Sequence, residues 1–357
     1  MNKFLNQSNK DKMRVVGIDP GTKGFSLLGL DEDKIFLDEM LETVEVIEDM
    51  SKLITLIEHS LPVDAIIGPS GYGLPVSHIK DTKESDLDLM LPSKSNVPVN
   101  EAIKSFYYYA RDQGLPLYFT PGVIHLPTVP RYRKLNRMDM GTADKLCCAA
   151  LALEQFSCRH KVNYSDCSLI FLEVGYGFTA AIGIEKGKVV DAVGGTSGFP
   201  GFLSPGAIDS ELAIRIDKQP QDVLFTGGAQ SLISSSVDFL QDLKNYPDAW
   251  NTLIEGAVKD IAIVKATTYT DEIIISGRLT RIPDIKEELC NRLSSYGRVE
   301  TLNKSGKKAS EAAEGAVIIG IGLLGGRYKG LVESLELNKA LGTMYDYIAI
   351  EVKQELQ

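Results

Sequence analysis

Arg14-Val-Val-Gly-Ile-Asp-Pro-Gly-Thr-Lys-Gly-Phe-Ser26 sets a short run of β-branched apolar residues against a lone carboxylate and a glycine-bearing turn. Val15, Val16 and Ile18 favour a buried strand and Asp19 ends it. Gly21 and Gly24 let the backbone turn tightly enough to bring N–H groups close to an anion. Taken alone, the segment fits a phosphate-cradling loop and an ordinary hairpin cornered at Pro20-Gly21 equally well.

Outward from that turn, a second strand is expected over 25–30, then the charged turn Asp31-Glu-Asp-Lys34 and a third strand over 35–37. The same order returns later in the chain. A strand over 168–172 leads to Glu173-Val-Gly-Tyr-Gly-Phe-Thr179. A strand over 180–184, the charged turn Glu185-Lys-Gly-Lys188 and a strand over 189–193 follow. The two acids, Asp19 and Glu173, lie 154 positions apart. This repetition predicts a duplicated domain in which each copy contributes one acid and one glycine loop to a shared cleft. Gly194-Gly-Thr-Ser-Gly198 extends the second loop region.

A chain of 357 residues, 44% hydrophobic and 24% charged, is in the ordinary range for two globular domains. Its net charge of −10 argues against broad nucleic-acid binding, although a local basic pocket is compatible with it. Residues 1–12 are polar and lack the apolar core of a signal peptide, and no apolar run reaches the roughly 18 residues of a membrane span, so a cytoplasmic protein is expected. Five cysteines without a C-x-x-C pair read as reduced core thiols, and four scattered histidines lack zinc-ligand spacing. The expected partner is a small-molecule substrate; a homodimer stays open.

Between the two copies, apolar spacing predicts a helix over 47–60 and a strand over 63–67 that ends in Gly68-Pro-Ser-Gly-Tyr-Gly73. Ligands collect at the carboxyl ends of strands in α/β domains, which makes Ser70, Gly71 and Tyr72 candidate substrate contacts; a plain strand exit is the alternative. Residues 80–100 are polar and turn-rich, as a mobile loop would be. A helix over 100–111 and a strand over 117–119 come next. Arg131, Arg133 and Arg137 then form the one local concentration of positive charge, able to hold a carboxylate or phosphate through planar forks or simply to be solvated.

Gly141-Thr-Ala-Asp-Lys145 opens a helix over 143–158, with Thr142 as N-cap and Asp144 in the first turn. Further helices are expected near 209–217 and 230–244, over 249–268, over 284–294 and over 310–324, with a helical tail to the C-terminus. Ser276-Gly-Arg-Leu-Thr-Arg-Ile-Pro283 follows a strand at 272–275 and forms a turn suited to an adenosine. Gly320-Ile-Gly-Leu-Leu-Gly325 has G-x-G-x-x-G spacing but lies inside a helical pattern, so its small residues read as close packing at the lobe interface rather than as a dinucleotide fingerprint. No G-x-x-x-x-G-K-[ST] string occurs. The domain reading is a flexible 1–12, an N-terminal lobe 13–142, a connecting helix 143–160, a C-terminal lobe 161–310, and a connecting helix with tail over 311–357.

In this order the pieces resemble the superfamily of acetate and sugar kinases, actin and heat-shock ATPases. Ile18-Asp-Pro-Gly-Thr22 looks like its first phosphate motif, Glu173-Val-Gly-Tyr-Gly-Phe-Thr179 its second and Ile275-Ser-Gly-Arg-Leu279 its adenosine motif. The helices at 143–158 and 311–324 look like its two connecting segments. Gly141-Thr-Ala-Asp-Lys145 and Gly194-Gly-Thr-Ser-Gly198 are similar to strings of an archaeal family of unassigned activity described as predicted butyrate kinase. The second motif usually begins with Asp, where this chain has Glu173, and of the substrate-side histidines only His125 lies near the relevant stretch.

The resemblance implies an α/β fold of duplicated ribonuclease H-like (actin-like ATPase) domains, two lobes around a nucleotide cleft, that binds ATP and Mg²⁺. Asp19 and Glu173 would hold the metal, and N–H groups near Gly21, Thr22, Gly175 and Gly177 the phosphates. Lys23, Thr179, Gly194, Gly195 and Thr196 would complete the nucleotide site, with Ser276, Gly277 and Arg278 at the adenosine. A hydroxyl acceptor would need Asp144 as general base. A carboxylate acceptor would instead need Arg131, Arg133 and Arg137 to offset anion repulsion, and the arginine cluster favours that acceptor. A kinase of a sugar or polyol, and a non-catalytic ATP-binding switch, are the alternatives.

Overall fold

The computed structural model describes residues 13–21, 23–68, 71–91, 98–216, 223–233 and 242–351. These divide into two compact units, each discontinuous in sequence. Unit 1 draws on 1–128, 142–165 and 303–346, and unit 2 on 129–141, 166–302 and 347–357.

Unit 1 carries a sheet of β1 (Arg14–Pro20), β2 (Gly24–Asp31), β3 (Lys34–Glu42), β4 (Ala65–Ile67), β5 (Gly73–His78) and β6 (Leu117–Pro121), in the order β3-β2-β1-β4-β6-β5. The strands β1, β4 and β6 run parallel, while β2, β3 and β5 pair antiparallel with their neighbours. Alternation along β1 explains why it is apolar on both faces. Val16 and Ile18 pack with Leu53 and Ile57 of the Ser51–Ser60 helix and with Ile103 and Phe106 of the Pro98–Asp112 helix. Residues of the other parity face the Glu311–Leu323 helix, which comes so close that a Cβ on Gly17 would meet the Ala313 carbonyl.

Unit 2 carries β7 (Leu169–Val174), β8 (Thr179–Glu185), β9 (Lys188–Val193), β10 (Glu272–Ser276) and β11 (Arg298–Thr301), in the order β11-β10-β7-β8-β9. Its core joins Ile170, Leu172, Ile273 and Ile275 to Leu253 and Ile261 of the Pro247–Lys265 helix and Leu289 of the Pro283–Leu293 helix.

The duplication extends to individual residue pairs. A shift of 154 positions turns Ile18↔Leu27 into Leu172↔Ala181 and Leu28↔Asp38 into Ile182↔Ala192. The β-bulge between Gly29 and Leu30 reappears between Gly183 and Ile184. The parallel neighbour follows as well, with Val16↔Ile66 matched by Ile170↔Ile273. A bulge at the same place in both copies keeps the apolar set of each third strand on its proper face.

Several expectations are corrected. Residues 80–100 are not a featureless loop: they contain the Glu84–Met90 helix and the start of the Pro98–Asp112 helix, with 92–97 outside the described residues. The strands β5 and β11 were missed because each is short and weakly apolar. The expected helical tail is broken into the Lys329–Ser334 helix, a 3₁₀ turn at Leu337–Lys339 and turns beyond it. The close-packing glycines of the Glu311–Leu323 helix act within unit 1: a Cβ on Gly315 would meet the Cys147 carbonyl, and one on Gly320 would crowd Val15 and Ile67. Among the described residues the five cysteines form no disulfide, and no helix is long and apolar enough to cross a membrane.

Candidate functional site

In unit 1, Asp19 is the penultimate residue of β1 and the chain turns just beyond it, with Gly21 N–H donating to the Gly24 carbonyl at 2.9 Å. Thr43 ties down the turn from beneath: its Oγ1 donates to the Gly21 carbonyl at 2.8 Å, and its N–H donates to the Lys23 carbonyl at 3.3 Å. Lys23 is exposed, and Thr22 lies outside the described residues. The carboxylate of Asp19 accepts a hydrogen bond at 2.6 Å from Ser310, the N-cap of the Glu311–Leu323 helix. Nothing in the local sequence of Asp19 announces that partner.

The loop after β4 meets the start of the Ala143–His160 helix. Ala143 N–H donates to the Gly71 carbonyl at 3.1 Å, while Tyr72 N–H donates to the Met90 carbonyl at 3.2 Å. Ser70 lies outside the described residues. Thr142 is the N-cap residue, as the sequence predicts, but its side chain makes no cap bond to the helix backbone: its hydroxyl donates to Asp144 Oδ1 at 2.5 Å. Lys145 Nζ stands 2.8 Å from Asp144 Oδ2. Burial presses the Asp144 carboxyl upward, but the adjacent Lys145 ammonium and the Thr142 hydroxyl outweigh it and hold the group below the usual carboxylate range. His125 is buried with Nδ1 3.2 Å from the Gly122 N–H.

In unit 2 the turn after Glu173 repeats that after Asp19, with Gly175 N–H donating to the Phe178 carbonyl at 2.9 Å. The Gly177 carbonyl accepts the Leu203 and Ser204 N–H groups at 3.2 and 2.9 Å, which braces the loop from behind. Ser276 lies opposite Glu173 across the β7/β10 pairing. The hydroxyls of Ser276 and Thr179 are both buried without a hydrogen-bond partner among the described residues. Gly277 turns at φ +106°, where a Cβ would run into the Val174 backbone, so this position takes only glycine without strain. Arg278 beside it is exposed.

Asp139 organises the Gly194–Thr196 region, and sequence reading missed it. Its Oδ1 accepts the Gly141 N–H at 2.8 Å, and its Oδ2 accepts the Thr196 N–H and hydroxyl at 3.1 and 3.3 Å. Ser197 Oγ donates to the Asp139 carbonyl at 2.7 Å. Only the Asp139–Gly141 part, an Asx turn, has a local signature. The three arginines do not share one task. Arg133 donates to the Val190 carbonyl at 2.7 Å and lies 3.8 Å from Asp191, Arg137 donates to the Ser197 carbonyl at 2.9 Å, and Arg131 is exposed.

Carboxylate oxygens at Asp19 and Glu173 are hard donors, the kind that Mg²⁺ takes while keeping most of its water. Among the described residues no three His, Cys, Asp or Glu side chains cluster as a metal cage. Within each unit, a strand with an acid near its end followed by a tight glycine turn suits an anion accompanied by such a cation.

Solved structures share this fold. A propionate kinase from Francisella tularensis subsp. tularensis SCHU S4 is 13% identical with a TM-score of 0.62, over 85% of this chain and 98% of that one. An acetate kinase from Entamoeba histolytica is 13% identical with a TM-score of 0.57, over 79% and 86%. An acetate kinase from Porphyromonas gingivalis is also 13% identical with a TM-score of 0.56, over 85% and 98%. At such identities the likeness establishes the fold alone, the one these acetate and propionate kinases have. No curated protein matches the sequence. Residues 17–350 match the family described as "Protein of unknown function (DUF1464)", and the chain belongs to that family.

Proposed function

We propose that this chain is an ATP-dependent small-molecule kinase that transfers the γ-phosphoryl group to a short-chain carboxylate. The observation that carries the reading is the paired turn: an acid ends the first strand of each unit, and the same glycine hydrogen bond follows it in both. Phosphoryl transfer asks a protein mainly for positioning and charge neutralisation. The proposed phosphate donors are N–H groups near Gly21 and Thr22 in unit 1 and near Gly175 and Gly177 in unit 2. Asp19 and Glu173 are the proposed Mg²⁺ partners, directly or through water; the bound cation would offset charge on the phosphates. Ser276, Gly277 and Arg278 are assigned to the adenosine.

A carboxylate acceptor is already ionised near neutral pH and needs cationic help rather than a base. Arg133 and Arg137 are tied to backbone carbonyls, whereas Arg131 is exposed and makes no such bond among the described residues, which makes it the first candidate for that help. A hydroxyl acceptor is the second reading. It is favoured by Asp144, which Lys145 and Thr142 keep ionised at a helix start beside Gly71.

The test is an acceptor screen that reads ADP release from Mg-ATP, with hydroxylamine trapping of acyl phosphate. The carboxylate reading expects hydroxamate from acetate, propionate or butyrate. Phosphorylation of a polyol or sugar without hydroxamate would replace it by the second reading. Nucleotide binding without any acceptor-dependent turnover would leave an ATP-binding switch.

A further inference from the structure

We propose that Ser310 is a positioning residue for Asp19, orienting the carboxylate that meets the Mg-nucleotide; this rests on the role proposed for Asp19 above. The two residues are separated by 291 positions, yet Ser310 Oγ donates to Asp19 Oδ2 at 2.6 Å. The same oxygen accepts the Ala313 N–H at 3.2 Å. A serine hydroxyl has one proton, and here it is committed to Asp19 while a lone pair caps the helix.

The surrounding loop is built to deliver that hydroxyl. Asp38 on β3 accepts N–H groups from Lys307, Lys308 and Ala309 at 2.6, 3.0 and 2.8 Å. Those backbone donors overcome the upward push of burial and hold its carboxyl below the usual range. Glu314 accepts the Ser305 N–H and hydroxyl at 2.7 and 2.6 Å, and Lys304 Nζ donates to the Lys307 and Ala309 carbonyls at 3.1 and 2.8 Å. Asp19 and Gly17 have the same parity on β1, and the helix that Ser310 caps lies against Gly17. The carboxylate therefore has its orientation set by a helix start that is itself locked to β1 and β3. A carboxylate so held has its lone pairs aimed before any cation arrives.

Three substitutions separate capping from positioning. Ser310→Ala removes both functions, Ser310→Thr retains both, and Ser310→Asp caps a helix about as well as serine but brings no proton and sets a like charge beside Asp19. Outer partners of metal-bound groups usually matter by about 10–100-fold, so Ser310→Ala should lower kcat about tenfold and raise the half-saturating Mg²⁺ concentration, with KM for ATP little changed. Ser310→Thr should recover most of that loss, whereas Ser310→Asp, which keeps the cap but repels Asp19, should not. The readout independent of activity is a double-mutant cycle in urea unfolding: Ser310→Ala and Asp19→Asn should be non-additive. Additive effects, or an unchanged Mg²⁺ dependence in Ser310→Ala, would overturn the proposal. A wild-type protein that neither binds Mg-ADP nor turns over Mg-ATP would sink the kinase reading itself, an outcome visible before any variant is made.

Discussion

Asp260 offers a quantitative test of how the second glycine region is supported. It lies fully buried on the Pro247–Lys265 helix, where Oδ1 accepts the Phe199 N–H at 2.9 Å and Oδ2 has no hydrogen-bond partner among the described residues. Gly198 abuts it so closely that a Cβ there would come within 2.6 Å of Oδ1. Burial raises the carboxyl from 3.8 to about 7, with the Phe199 N–H pulling weakly the other way. The folded state therefore holds an extra proton across that window. Stability is fullest below the unfolded value, falls as pH rises, and levels off above about 7. A shift of about three units at 1.36 kcal/mol each corresponds to about 4 kcal/mol in all, and about 3 kcal/mol of it falls between pH 4.5 and 8.

Asp260→Asn keeps the acceptor for Phe199 and removes the titration. Trp250 is the only tryptophan of the chain and sits on the same helix, so its fluorescence reports urea unfolding of unit 2. Other titrations cancel in the difference between the two proteins. The stability of wild type relative to Asp260→Asn should drop by about 3 kcal/mol from pH 4.5 to 8, steepest at about 1.4 kcal/mol per pH unit. Parallel profiles would mean that Asp260 is already ionised in the fold and would refute the reasoning.

Gly277→Ala must accept φ +106° and a Cβ against the Val174 backbone, so unit 2 should lose about 2–4 kcal/mol, seen as a lower urea midpoint by Trp250 fluorescence; a wild-type midpoint would contradict this. Asp139→Ala orphans the Gly141 and Thr196 N–H groups and should cost about 2–4 kcal/mol, with faster amide exchange at both positions as the check. Asp19→Asn should abolish Mg-ATP turnover while circular dichroism shows the native fold; retained turnover removes Asp19 from the site. Arg131→Ala should raise KM for a carboxylate acceptor more than kcat changes, and an unaltered KM would count against a guanidinium at the acceptor.

Which parts could be read from sequence follows from how local each signal is. A β-branched run, an acid, a glycine turn and a returning strand occupy about a dozen consecutive residues, and their repetition after 154 positions marked the duplicated fold and both turns. The Glu84–Met90 helix escaped because seven residues, four of them polar, give too little period to separate helix from loop. Arg133 and Arg137 looked like an anion site because charge is visible in sequence and partners are not; the fold turns both to backbone carbonyls of unit 2.

By itself, then, the sequence determined that two copies of one α/β unit exist, where each acid stands, and which turn follows it, because periodicity and turn chemistry act between near neighbours. Tertiary structure alone decided what holds those acids and loops. Ser310 reaches Asp19 across 291 positions, and Asp139 clamps Thr196 across 57. A hydrogen-bond donor takes its partner from whatever packing brings within about 3 Å, and that choice is made only when distant elements close on one another.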